Sequence, residues 1–217
     1  MTQAKRLISA LVFDCDGVIL ESADIKSRAF FALAEPFGLD AQRRFLRYHE
    51  RHVGVSRFAK FSWLYATIEG RAISPEESEE LGRRFAGLCK EAVLAAPFVS
   101  GFQDLLEEWH GRAPLFVASG TPRRELAEIL EARGIAGKFA GVYGTPPDKA
   151  ALLRRLIADH ALDPAATVMF GDGETDYEAA RQAGTLFFGR GKRFAGRGCL
   201  WAEDLLPAKD MLENSLV

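Results

Sequence analysis

The chain has 217 residues, 48% of them hydrophobic and 27% charged, enough for one large domain, or one domain with an insertion, around a full-sized core. Its formal net charge of −2 excludes the strong basic field expected of a partner for nucleic acid or anionic membrane. Three widely spaced cysteines, Cys15, Cys89 and Cys199, exclude a disulfide framework and point to a reducing compartment.

In chain order, Lys5 and Arg6 precede the apolar run "LISALVF" (7–13). That run is too short for a signal peptide, and Asp14 and Asp16 interrupt it. No segment approaches membrane-spanning length, so the expected location is the cytoplasm. The run itself reads as a buried strand. From about Ser22 to Ala96 no strand is legible, and helical stretches such as "DIKSRAFFALAEPF" and "RFAKFSWLYATIEG" follow one another. "SPEE" marks a helix start, with Ser74 as cap, Pro75 at the first position and Glu77 completing a capping box. "APFVSGF" (96–102) reads as a hinge. Strand-like "APLFVAS", "ATVMF" and "TLFF" then alternate with amphipathic helical stretches. The first of these is "TPRRELAEILEARG", with Thr121 as expected N-cap, Pro122 in the first turn and Gly134 closing it. The pattern predicts an α/β fold in which helices cover a parallel sheet. Residues 1–21 and 97–217 form its core, and 22–96 a helical insertion.

Ligands of open α/β sheets bind at the carboxyl ends of the strands. There the sequence places Asp14 and Asp16, then Ser119, Gly120 and Thr121, then Lys149 at a helix start, then Asp172, Glu174 and Asp176 in "GDGETD". Such carboxylates repel one another unless a cation sits among them. Mg²⁺, which takes oxygen ligands, suits Asp14 and Asp172 with a backbone carbonyl near Asp16, while Ser119, backbone N–H groups around Gly120 and Lys149 could hold phosphate oxygens. Residues i and i+2 at a strand end share a face. One aspartate can then attack phosphorus while the other, its pKa raised by its neighbours, gives and takes a proton.

"FDCDGV", "ASGT", Asp148–Lys149 and "GDGETD" resemble, in order and spacing, the four motifs of the haloacid dehalogenase-like hydrolase superfamily. The resemblance extends over Leu7–Phe188 and is nearest to the phosphoglycolate phosphatase and β-phosphoglucomutase-like subgroup with a helical cap. It implies a Rossmann-like core, Mg²⁺ as cofactor, Asp14 as nucleophile and Asp16 as general acid/base. It also implies Ser119 and Lys149 on the transferring phosphoryl group, with Asp172 and Asp176, beside Asp14 and Asp16, at the metal. An aspartate two residues after the nucleophile is absent from the dehalogenases and phosphonatases of the superfamily, so Asp16 favours phosphate esters. Gly173 departs from the serine or threonine of many relatives. "GVSR" (54–57) resembles the cap loop of β-phosphoglucomutase, whose arginine grips a second phosphate, here Arg57. Lys26 falls where those mutases carry a histidine.

The stretch from Ala41 to Lys60 holds six Lys/Arg against one glutamate and would attract an anion; its Arg43–Arg51 part reads as a solvated helix face. Cys15 is expected in the core, Thr121 in a purely structural role, Glu174 as a first-turn helix acid, and the basic loop 189–198 as a connection. The resulting expectation is a phosphatase of a small phosphorylated metabolite, with no nucleic-acid or membrane partner; no interface pattern in the sequence fixes an oligomeric state. The rival readings are a phosphomutase using the same residues and a non-catalytic regulatory protein on the same fold.

Overall fold

A computed structural model describes residues 8–214; Lys5, Arg6 and Leu7, at the start of the first expected strand, lie outside the described residues. Six parallel strands form one sheet: β1 (Ala10–Phe13), β2 (Leu115–Pro122), β3 (Gly141–Thr145), β4 (Thr167–Gly171), β5 (Leu186–Arg190) and β6 (Leu200–Ala202). Their order is β3-β2-β1-β4-β5-β6, which gives a Rossmann-like sheet. The central strand β1 pairs with β2 on one side (Leu11 with Leu115) and with β4 on the other (Leu11 with Val168). Leu11 and Phe13 face one apolar cluster, and Ala10 and Val12 face the other. Both faces are thus buried, which is why the strand reads as an unbroken apolar run. Phe13 stacks on Phe170 of β4 with ring centroids 4.8 Å apart.

The sequence reading named four of these strands and missed two. β3, "GVYGT", lies at the sheet edge, carries two glycines and is only half buried over its first three residues. β6 is three residues long and half buried. Neither has the sustained apolar pattern that marks a strand in sequence.

Between β1 and β2 run the helices α1 (Ala23–Leu33), α2 (Leu39–Arg51), α3 (Arg57–Leu64), α4 (Pro75–Ala95) and α5 (Phe102–Trp109), with a π-helical turn at Tyr65–Glu69 after α3. The capping box expected at α4 is formed: Ser74 Oγ accepts from the Glu77 N–H at 3.2 Å, and a Glu77 carboxylate oxygen accepts from the Ser74 N–H at 2.9 Å. Phe30, Phe45, Phe61 and Phe85 pack α1 to α4 together, with centroids 4.4 to 6.4 Å apart around Phe30. The chain leaves and re-enters the sheet through two adjacent strips. Val99 N–H donates to Ile19 O at 3.0 Å, and Glu21 N–H to Pro97 O at 3.0 Å.

The later helices are α6 (Arg123–Ala132), α7 (Lys149–Asp159), α8 (Glu174–Ala183) and α9 (Ala208–Asn214). Helix α6 starts one residue later than the sequence suggested. Thr121 does not cap it, because β2 continues to Pro122, whose extended backbone (φ −54°, ψ 137°) and a register shift after Ser119 delay the turn. Glu174 opens α8 as a first-turn acid and pairs with Arg197 at 2.6 Å. Among the described residues no helix is long and apolar enough to cross a membrane.

Candidate active site

Strand order reverses on either side of β1, and the crevice at its carboxyl end gathers the chemistry-bearing residues. Asp14 follows β1 directly and stays in the ladder, its N–H donating to Phe170 O at 3.0 Å. Cys15 is fully buried in the core, as its strand position implied. The two aspartates flanking it part company.

Asp14 joins Asp172, after β4, and Asp176, in the first turn of α8. One carboxylate oxygen from each lies within 4.8 Å of the others. Lys149, the first residue of α7, inserts its ammonium among them, 3.0 Å from Asp14 Oδ2 and in a short hydrogen bond with Asp176. Asp176 also accepts from the Gly173 N–H at 3.0 Å. The turn after Asp16 can approach this cluster because residue 17 is glycine. A Cβ there would stand 2.2 Å from Asp172 Oδ2, and φ is +77°. From the end of β5, Arg190 steadies the same turn, donating to Gly17 O at 2.9 Å and pairing with Glu21.

The electrostatics follow from burial. Desolvation lifts the Asp14 carboxyl to about 6 against the pull of Lys149, with Asp176 and Asp16 adding repulsion. Asp172 is pushed well above the carboxylate range by burial, then by Asp176 and Asp14. Its Oδ1 is buried and has no hydrogen-bond partner among the described residues. For Lys149 burial acts downward, but Asp14 and Asp176 outweigh it and hold the ammonium firmly protonated. Three hard oxygen donors, one of them unpartnered, fit a divalent cation such as Mg²⁺.

Asp16 turns the other way. Its Oδ1 accepts from Ser22 Oγ at 2.6 Å, and its Oδ2 from Thr121 Oγ1 at 3.2 Å and from Lys26 of α1 in a short ion pair. Lys26 also donates to Thr121 Oγ1 at 2.7 Å. Two expectations are corrected here. The Asp16 pKa is lowered, not raised: burial pushes it up, but the Lys26 charge and the hydrogen bonds from Lys26, Ser22 and Thr121 outweigh that push. Thr121, expected to be purely structural, belongs to the site. Its motif "ASGT" already contained the hydroxyl, but the helix-cap reading claimed it. Ser22 gave no sequence signal beyond its place after the first motif. The Asp16 side chain is not among the three converging carboxylates.

Ser119, at the end of β2, is buried and accepts from the Thr121 N–H at 3.2 Å. Gly120 meets the inserted helices. A Cβ on it would lie 2.4 Å from Gly54 O, so the loop before α3 rests directly on the β2 end. Across the same seam Thr175 of α8 donates to Val53 O in a short hydrogen bond. Beneath this seam is a cavity of about 70 Å³, lined by Asp14, Asp16, Ser119, Gly120 and Thr121 from the sheet side and by Lys26, Arg57 and Lys60 from the helices.

Arg57 is 5% exposed, pairs with Glu125 of α6 at 2.7 Å and lies over the Phe85 ring at 4.6 Å. His49 corrects another expectation, since it is buried while Arg43, Arg44, Arg47 and Arg51 around it are exposed. Its spacing with Ala41 and Phe45, one turn apart each, was the signal of a buried stripe on α2.

Comparison with known proteins is consistent with this geometry. The model of the haloacid dehalogenase-like hydrolases matches residues 8–184. The chain is 30% identical over 183 residues to the phosphoglycolate phosphatase of Synechococcus elongatus, covering 82% of each protein. It is 28% identical over 198 residues to that of Vibrio cholerae, covering 84% of each. Among solved structures, the β-phosphoglucomutase of Clostridium difficile superposes with a TM-score of 0.79 at 20% identity, over 97% of both chains.

Proposed function

Since the chain belongs to the haloacid dehalogenase-like hydrolases and is a phosphatase, we propose that it hydrolyses a small phosphate monoester with Mg²⁺ as cofactor, through an aspartyl phosphate on Asp14. The observation that carries this reading is the divergence of Asp14 and Asp16. One carboxylate lies with Asp172, Asp176 and Lys149, the other with Lys26 and Thr121, and both line one cavity.

Asp14 Oδ attacks phosphorus as the ester P–O bond breaks, and the departing alkoxide takes a proton from Asp16. Asp16 is held ionised in the free protein, and a phosphate anion arriving beside it raises its proton affinity, so binding itself favours the acid form. In the second half Asp16 takes a proton from water, the oxygen of that water attacks phosphorus, and the Asp14 carboxylate is restored as inorganic phosphate leaves. Ser119, the Gly120 N–H and Lys149 orient the phosphoryl oxygens. Asp14, Asp172 and Asp176 would hold Mg²⁺, which when bound neutralises charge on phosphoryl and carboxylate oxygens.

In the mutase-like loop the arginine that would grip a second phosphate is Arg57, and its charge is already met by Glu125. The test is phosphate release from a panel of phosphorylated metabolites, with Mg²⁺ or with EDTA, by wild type and Asp14→Asn. Metal-dependent release lost in the variant is expected. Release that needs a bisphosphate activator would replace this reading with the mutase.

A further inference from the structure

The cavity contains one positive charge that the protein does not answer. Of the three cations contributed by the inserted helices, Lys26 is paired with Asp16 and Arg57 with Glu125. Lys60 is 2% exposed and, among the described residues, forms no ion pair. Its Nζ hydrogen-bonds His49 Nδ1 at 2.8 Å and lies 4.9 Å from the centroid of the Phe30 ring.

The histidine does not neutralise it. With Lys60 as the ammonium, which can only donate, His49 Nδ1 is the acceptor and the ring proton belongs on Nε2, 3.0 Å from Ser27 Oγ. Ser27 in turn donates to Ala23 O at 3.0 Å. Both ring nitrogens and the Ser27 hydroxyl thus have partners within the protein, and the ring stays neutral, while Lys60 Nζ makes this one hydrogen bond among the described residues. A buried ammonium with no counter-ion is costly, and a protein without a use for it would carry an apolar residue. Burial, with repulsion from Lys26, pulls Lys60 down to about 7, and an anion beside it would reverse that.

Lys60 lines the same cavity as Asp14, Asp16 and Ser119, so the uncompensated charge faces whatever carries the reacting phosphate. One unanswered charge in about 70 Å³ suits a small monoanion. We propose that Lys60 is a specificity-determining residue, its ammonium receiving a carboxylate at the far end of a short phosphate ester. This rests on the phosphatase reading above and assigns its specificity to one side chain.

The test compares kcat/KM for three probes that differ only in the distal group: 2-phosphoglycolate, ethyl phosphate and ethane-1,2-diol bisphosphate. Wild type should prefer phosphoglycolate to ethyl phosphate by about 10- to 100-fold, the value of a hydrogen-bonded charge. In Lys60→Met that ratio should fall to within about threefold of unity. Lys60→Arg, which keeps the charge, should retain part of it. Because each ratio is taken within one preparation, a partly misfolded variant does not alter it. An unchanged ratio in Lys60→Met, or no preference in wild type, would overturn the proposal. Greater activity on the bisphosphate, lost in Lys60→Met, would overturn the carboxylate assignment in favour of a second phosphate. No release from any probe by wild type would overturn the phosphatase reading and this proposal with it.

Discussion

At the scale of single residues, the site works because two aspartates, separated by one residue, have opposite surroundings. Lys26 decides the state of Asp16, since burial alone would push that carboxyl up. Lys26→Met should therefore raise the proton affinity of Asp16 and lower kcat by about 10²- to 10⁴-fold, the range of general acid–base catalysis. Lys26→Arg should recover part of the loss; equal kcat in Met and Arg variants would mean the charge is not what matters. His49 sets a stability prediction. Burial first, then Lys60 and Lys26, lower its folded pKa to about 3 from 6.5. Unfolding therefore takes up a proton between those values, and stability falls as pH drops from 6.5 towards 3, by at most about 1.4 kcal/mol per pH unit from this group. His49→Gln should flatten the pH dependence of the urea midpoint between pH 4 and 6.5. An unchanged slope would place the acid sensitivity elsewhere. None of these environments was legible from neighbours in sequence. The motif placed Asp14 and Asp16 together, but the sign of the Asp16 shift comes from Lys26, brought to it by the packing of α1.

At the scale of elements, the seam between the β2 end and the loop before α3 is set by Gly120, whose nearest neighbours across it are backbone atoms. Gly120→Ala would push a methyl group against Gly54 O at 2.4 Å. The loop would have to lift and the cavity widen, and kcat/KM should fall by about tenfold or more. Gly87, inside α4, is the control, because a Cβ there would meet nothing within 4 Å. Gly87→Ala should instead stabilise the protein by about 0.5 to 1 kcal/mol, leaving kcat/KM unchanged. Thermal midpoints and kcat/KM of the two variants separate the effects; full activity in Gly120→Ala would mean the seam does not shape the site. Most elements could be read in advance for a physical reason. Strands buried on both faces, such as β1 and β4, leave apolar runs, and Ser74 with Glu77 spells out the start of α4. The edge strands β3 and β6 and the late start of α6 depend on pairing with β2 and β5, which sequence periodicity does not record.

At the scale of the whole molecule, the sheet order matters most, because it brings residues from β1, β2, α7 and β4 to one crevice. The four motifs could be recognised because each marks a strand end or helix start, while the contribution of the inserted helices, Lys26 and Lys60 above all, emerged only from their packing over that crevice. Burial of Asp14, Asp172 and Asp176 around one lysine leaves the core short of positive charge. Mg²⁺ at about 100 times its Kd should then stabilise the fold by about 2.7 kcal/mol. The thermal midpoint should rise by several degrees over that in EDTA, and by less in Asp172→Asn; no metal-dependent rise would argue against a cation at this cluster. The central claim is the covalent step on Asp14. Its most direct test is acid quenching during turnover of a ³²P-labelled phosphate ester, followed by peptide mapping. We expect a hydroxylamine-labile label on the peptide containing Asp14, absent from Asp14→Asn along with phosphate release. A label on another residue, or phosphate release undiminished in Asp14→Asn, would contradict it.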